Sequence, residues 1–106
     1  MKKKRVTKNT KNLFEAILCL DNFKEAENFF RDLCSVEEIR AMSERWQIVK
    51  LLSQSLSYRE ISETLGVSTT TVSRVSLCYR EGTGAYSSVL KKINSHNNSA
   101  KVFRKG

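Results

Sequence analysis

The chain has 106 residues, no proline, four glycines, three cysteines and a net charge of +8. That length points to one domain with a modest core. Cys19, Cys34 and Cys78 are odd in number and lack CxxC spacing, which excludes a disulfide framework or zinc cluster and fits buried thiols in a reducing cytoplasm.

The charge is uneven. Residues 1–11 carry six basic side chains (Lys2, Lys3, Lys4, Arg5, Lys8 and Lys11) and no acid; residues 91–106 carry five (Lys91, Lys92, Lys101, Arg104 and Lys105), again without an acid. The middle is slightly acidic, so the basic excess sits in two arms of the kind that suit a polyanion. We therefore expect a flexible basic arm over 1–11, a folded domain over 12–93 and a disordered basic tail over 94–106.

Valine and isoleucine do not alternate with polar residues, and the pattern reads as all-α. A first helix is expected from about Asn12 to Leu20, and Asp21-Asn22 interrupts it. The apolar stretch 13–20 contains Glu15 and lies in charged sequence, unlike a signal peptide, and no apolar run is long enough to span a membrane. A second helix follows from Phe23 to Leu33. Four of the five phenylalanines, Phe14, Phe23, Phe29 and Phe30, fall in these two segments and mark them as packing surface.

Ser35 and Glu38 form a capping box that opens a long helix to about Ser55. Its second half, with Ile48, Val49, Leu51 and Leu52, is apolar on more than one face, as a helix at the centre of a bundle must be. A second capping box, Ser57 with Glu60, opens a short helix to Leu65. Gly66 stops that helix, and Ser68 caps another running to about Tyr79. Gly82 and Gly84 break the chain before a last helix from Ala85 to about Ile93.

Two short helices joined at a glycine, with Ile61, Leu65, Val67, Val72 and Val75 facing inward and hydroxyls outward, fit a helix-turn-helix. The second helix would then be free to enter the major groove of DNA, its Ser/Thr groups and Arg74 turned to phosphates and base edges. A plain helical corner needs the same glycine and aliphatic spacing. The outward hydroxyls and the basic arms favour double-stranded DNA as the partner.

The stretches "FFRDLCSVEEIRAMSERWQIVKLL", "YREISETLGVSTTTVSRV" and "GTGAY" resemble the Trp repressor superfamily, most closely its YerC-like branch of small bacterial proteins. The resemblance implies a Trp-repressor-like helical bundle with the helix-turn-helix in its C-terminal half. It also implies an intertwined homodimer that presents two recognition helices to successive major grooves. Carried over by position, Arg59 is a DNA contact from the first helix of the motif, and Thr69, Thr70 and Ser73 are base-proximal in the second. Ser68 and Arg74 complete that set together with Ser62, which stands where the repressor has a DNA-contacting lysine. Arg45 and Arg74 match the arginines that hold the repressor's amino-acid corepressor, and Ser35 a hydroxyl near that ligand's amino group. Val75 replaces the glycine on which an indole ring packs, which argues against tryptophan as the small-molecule effector.

No catalytic constellation accompanies these residues. His96, the single histidine, falls in the polar tail, and neither a P-loop nor GxGxxG occurs. We expect a DNA-binding transcription regulator, most simply a repressor, with no enzymatic activity of its own and no cofactor. The competing expectations are a DNA-targeting subunit of a transposase or similar enzyme, and a protein-interaction module that shares the helical corner.

Overall fold

The computed structural model describes residues 7–105, with side chains described for residues 7–96. Lys2, Lys3, Lys4 and Arg5 of the expected N-terminal arm lie outside the described residues, as do the side chains of Lys101, Arg104 and Lys105. Among the described residues six helices follow one another: α1 (Lys8–Leu18), α2 (Phe23–Leu33), α3 (Val36–Ser53), α4 (Tyr58–Leu65), α5 (Thr69–Glu81) and α6 (Ala85–Lys105). Among the described residues no helix is long and apolar enough to cross a membrane.

Side-chain caps set most of the helix starts. Thr7 accepts the Thr10 N–H at 3.1 Å and starts α1 one turn before the expected Asn12, so Lys8 and Lys11 are helical rather than part of a free arm. Asn22 accepts the Glu25 N–H at 2.9 Å and opens α2. Both capping boxes form. The Ser35 N–H donates to Glu38 at 2.7 Å and the Ser57 N–H to Glu60 at 2.8 Å, while each serine hydroxyl accepts the reciprocal N–H at 3.1 Å. At the other end of the chain α6 runs past Ile93 through the segment expected to be a disordered tail. No glycine or proline interrupts residues 85–105, so nothing in the backbone chemistry ends the helix early.

The chain divides into two compact units, one up to Arg40 and one from Ala41. In the first unit α1 and α2 contain no buried residue. Phe29 and Phe30 meet edge to face, ring centroids 5.6 Å apart, but much apolar surface stays open: Leu18 is 83% exposed and Phe23 80%.

The second unit has a core. Ile48 and Val49 of α3, Ile61 of α4, and Val72 and Val75 of α5 are buried, and Trp46, Leu51, Leu52, Leu56, Leu65, Val67, Tyr79, Tyr86 and Leu90 pack against them. Trp46, the candidate core or interface residue, is half-buried beside Tyr86, ring centroids 6.1 Å apart. The thiols depart from expectation: Cys19 and Cys78 are exposed and only Cys34 is half-buried. Cys19 follows the last residue of α1, a helix with no buried residue, and Cys78 lies on α5, where Val72, Val75 and Ser76 take the buried positions.

Candidate nucleic-acid interface

The closest helix pair in the second unit is α4 with α5. Their join is short because Gly66 takes the left-handed conformation, φ 69° and ψ 34°. Its N–H donates to the Ser62 carbonyl at 2.9 Å, and the Val67 N–H reaches the same carbonyl at 3.1 Å. These bonds satisfy the end of α4 and turn the chain directly into α5. Ile61 and Val72, both fully buried, then close the inner faces of the pair.

The four hydroxyls at the start of α5 have separate fates. Ser68 accepts the Thr71 N–H at 3.1 Å, and its Oγ lies 3.0 Å from Thr71 Oγ1, so Thr71 turns back into the cap and is half-buried. Thr69 and Thr70 are exposed on the first turn, followed on the same side of the helix by exposed Ser73 and Arg74. Leu77, one turn further on, is 49% exposed. The outward surface of α5 is thus a row of short hydroxyl side chains with one guanidinium beside it.

Arg59 lies in the first turn of α4, exposed, and pairs with Glu63 at 3.3 Å, an exposed i,i+4 contact of the weak kind. Ser62 does not join the outward set. It is half-buried, and its hydroxyl donates to the Val67 carbonyl across the turn. A small hydroxyl at this position locks the turn where a lysine would reach outward. Nearby, the Ser57 N–H and hydroxyl, bonded to the Glu60 carboxylate, hold that carboxyl below its ordinary value of 4.5.

The candidate effector residues lie in both units, Ser35 in the first and Arg45 and Arg74 in the second. Arg45 and Arg74 are both exposed, and among the described residues neither is in an ion pair. The Ser35 hydroxyl caps α3. Val75 is 6% exposed within the core, so its methyl groups already fill the space beside α5. One shallow hollow is lined by Val89, Lys92, Ile93 and His96 and another by Arg31, Cys34, Val36 and Ile39; neither includes Arg45 or Arg74. Among the described residues no group of His, Cys, Asp and Glu could hold a metal ion.

One contact between the two helices is not apparent from the sequence pattern. The Tyr58 hydroxyl, from the first turn of α4, donates to Ser76 Oγ of α5 at 2.6 Å. Arg80 Nε adds a weaker approach to the same oxygen at 3.5 Å. Periodicity places Ser76 on the inner side of α5 but gives no sign of its partner.

The family profile for Trp repressor protein covers residues 8–94. The chain belongs to that family. It is 35% identical over 86 residues to the uncharacterized protein YerC of Bacillus subtilis (strain 168), spanning 81% of this chain and 83% of YerC. This places it in the YerC-like branch. Two solved structures share the fold. A TrpR-like protein from Eubacterium eligens matches with a TM-score of 0.79 and 36% identity, over 83% of this chain and 91% of its own. A candidate Trp repressor from Staphylococcus aureus matches with a TM-score of 0.76 and 41% identity, over 81% and 86%. Membership in this family makes the chain a DNA-binding helix-turn-helix protein of the transcription-regulator kind, and not an enzyme.

Proposed function

We propose that this Trp repressor family member is a sequence-specific DNA-binding regulator that acts as a homodimer and represses by occupying a promoter. The observation that carries the reading is the exposed row on α5. Thr69, Thr70 and Ser73 are short hydrogen-bonding side chains on the outer face of the second helix of the motif, with no partner in a core to explain them. Such groups at the start of a recognition helix reach base edges. Arg74, Arg59 and Ser68 flank them and take phosphates, which fix the protein on the duplex without reading it. Ser62, whose hydroxyl donates to the Val67 carbonyl, serves this interface by holding the turn between the two helices. The basic residues before Thr7 act as an electrostatic tether.

A second copy of this chain supplies what the first unit lacks. Phe14, Leu18, Phe23, Leu33 and Val36 are each half exposed or more. Surface of this kind is costly in water and is removed when a second copy of the chain covers it. Two-fold symmetry then gives a palindromic site with half-site centres about one helical turn apart, ~10 bp or a multiple. Arg45 and Arg74, both exposed, are weaker candidates for holding an anionic effector that is not tryptophan, and Ser35 is a candidate of its own in the first unit. The protein would act in the reducing cytoplasm, where its three thiols stay free.

Selection of bound fragments from genomic DNA, followed by sedimentation of the protein with the enriched duplex, tests this reading. The expected result is a shared palindromic sequence bound by two chains. Recovery of fragments with no common sequence, or a monomer at micromolar concentration with and without DNA, would contradict it.

A further inference from the structure

Among the described residues, Ser76 is the one polar side chain inside the core, 3% exposed. The rest of the α4–α5 contact is aliphatic. Burial of Ile61, Leu65, Val72 and Val75 is favourable but non-directional, and such a surface lets one helix tilt on the other at little cost. The Tyr58–Ser76 hydrogen bond is directional. It joins the first turn of α4 to the third turn of α5, 18 residues apart in sequence, at 2.6 Å. A hydrogen bond weakens steeply once its angle or length departs from a narrow range. This contact therefore fixes an angle that packing alone leaves soft.

We infer that Tyr58 and Ser76 are a positioning pair for site discrimination. Their bond sets the direction in which α5 carries Thr69, Thr70 and Ser73. The inference rests on the DNA-reading role proposed for those three residues. Thr70 lies six residues from Ser76, roughly 9 Å along the helix axis. A tilt of about 10° at Ser76 would therefore move Thr70 by about 1.5 Å, more than a hydrogen bond to a base edge tolerates. Threonine and serine are too short to reach across such an error. Lysine and arginine contacts to phosphates, on long flexible stems, follow the shift without loss. Removing the bond should thus erode sequence preference and spare general DNA affinity.

The experiment uses the full chain with Tyr58→Phe, which removes one hydroxyl, Ser76→Ala, which removes its partner, and the double variant. Circular dichroism establishes that each is folded at the temperature of assay. Dissociation constants are measured on the duplex selected by the native protein and on a scrambled duplex of equal length, over a series of salt concentrations. On the selected duplex each single variant should bind about three- to tenfold more weakly, the effect of one modest hydrogen bond. Affinity for the scrambled duplex and the salt dependence should not change. The double variant should be no worse than the weaker single, because the bond is already gone. Equal losses on both duplexes, an unchanged preference in either folded single variant, or additive losses in the double variant would overturn the inference. A native protein with no preferred duplex would overturn the proposed function as well.

Discussion

Gly66 is the position at which backbone conformation alone should decide stability. Its φ of 69° lies where an L side chain is strained, yet a Cβ built there meets nothing within 4 Å. Gly66→Ala therefore carries no clash, and its cost is the left-handed conformation itself, about 1–2 kcal/mol. Alanine also has less freedom to lose from the unfolded chain, which offsets about 0.4–1 kcal/mol of this. A net loss near 1 kcal/mol corresponds to a fall in Tm of roughly 4–8 °C for a domain of this size. Gly66→Asn should lose less, because asparagine visits this region more readily. Ile61→Ala gives the contrast: that side chain is fully buried, and its truncation should cost about 2–5 kcal/mol. Thermal unfolding followed by circular dichroism, at one fixed protein concentration, measures all three. A Gly66→Ala protein as stable as the native chain, or one damaged as much as Ile61→Ala, would refute the assignment of this turn.

Three further outcomes follow from the caps, the arm and the core. The Glu60 carboxyl is held low by Ser57, so its contribution to stability is present above its ordinary value of 4.5 and is lost as pH falls through the lowered value of the folded state. The stability difference between native protein and Glu60→Gln should accordingly be constant near neutrality and shrink in acid, and a difference that grows in acid would oppose the capping account. Deleting residues 2–6, which leaves the Thr7 cap intact, should reduce the slope of log affinity against log salt by about 0.9 for each phosphate that is no longer neutralised. An unchanged slope would mean that these residues never touch DNA. Isothermal titration with L-tryptophan should give no tight binding: Val75 is buried at the position where the family resemblance implies a glycine beneath an indole ring, and overpacking such a site typically costs ~1–3 kcal/mol. Stoichiometric micromolar binding that tightens DNA association would show that the valine has been accommodated.

Much of this fold is legible in the residues because the signals are local. The bounds of α2 and α4, the two capping boxes and the glycine stop at Gly66 each depend on neighbours within a few positions. The end of α3 is less clear, since Ser55 rather than glycine takes the positive φ of 66° there. The start of α1 escapes the sequence pattern because a run of lysines reads as a charged arm, while Thr7 supplies a cap that composition does not reveal. Among the candidate DNA-facing residues, spacing places Thr69, Thr70, Ser73 and Arg74 outward. It does not separate them from Ser62 and Thr71, whose hydroxyls are satisfied inside the turn and the cap. The Tyr58–Ser76 bond is illegible for a different reason, because it links residues that only the folded helix pair brings together.

The central claim is that α5 reads DNA sequence through Thr69, Thr70 and Ser73. All three are exposed, and alanine is at least as good a helix former at these positions, so the triple alanine variant should keep its fold. Removing one base-reading side chain typically costs ~1–3 kcal/mol of discrimination, though neighbouring effects do not simply add. The most direct measurement is the ratio of affinities for the selected and scrambled duplexes, native protein against Thr69→Ala/Thr70→Ala/Ser73→Ala, at one salt concentration. The ratio should fall close to one in the triple variant while binding to the scrambled duplex is retained. A triple variant that is folded and still prefers the selected duplex as strongly as the native protein would contradict the account.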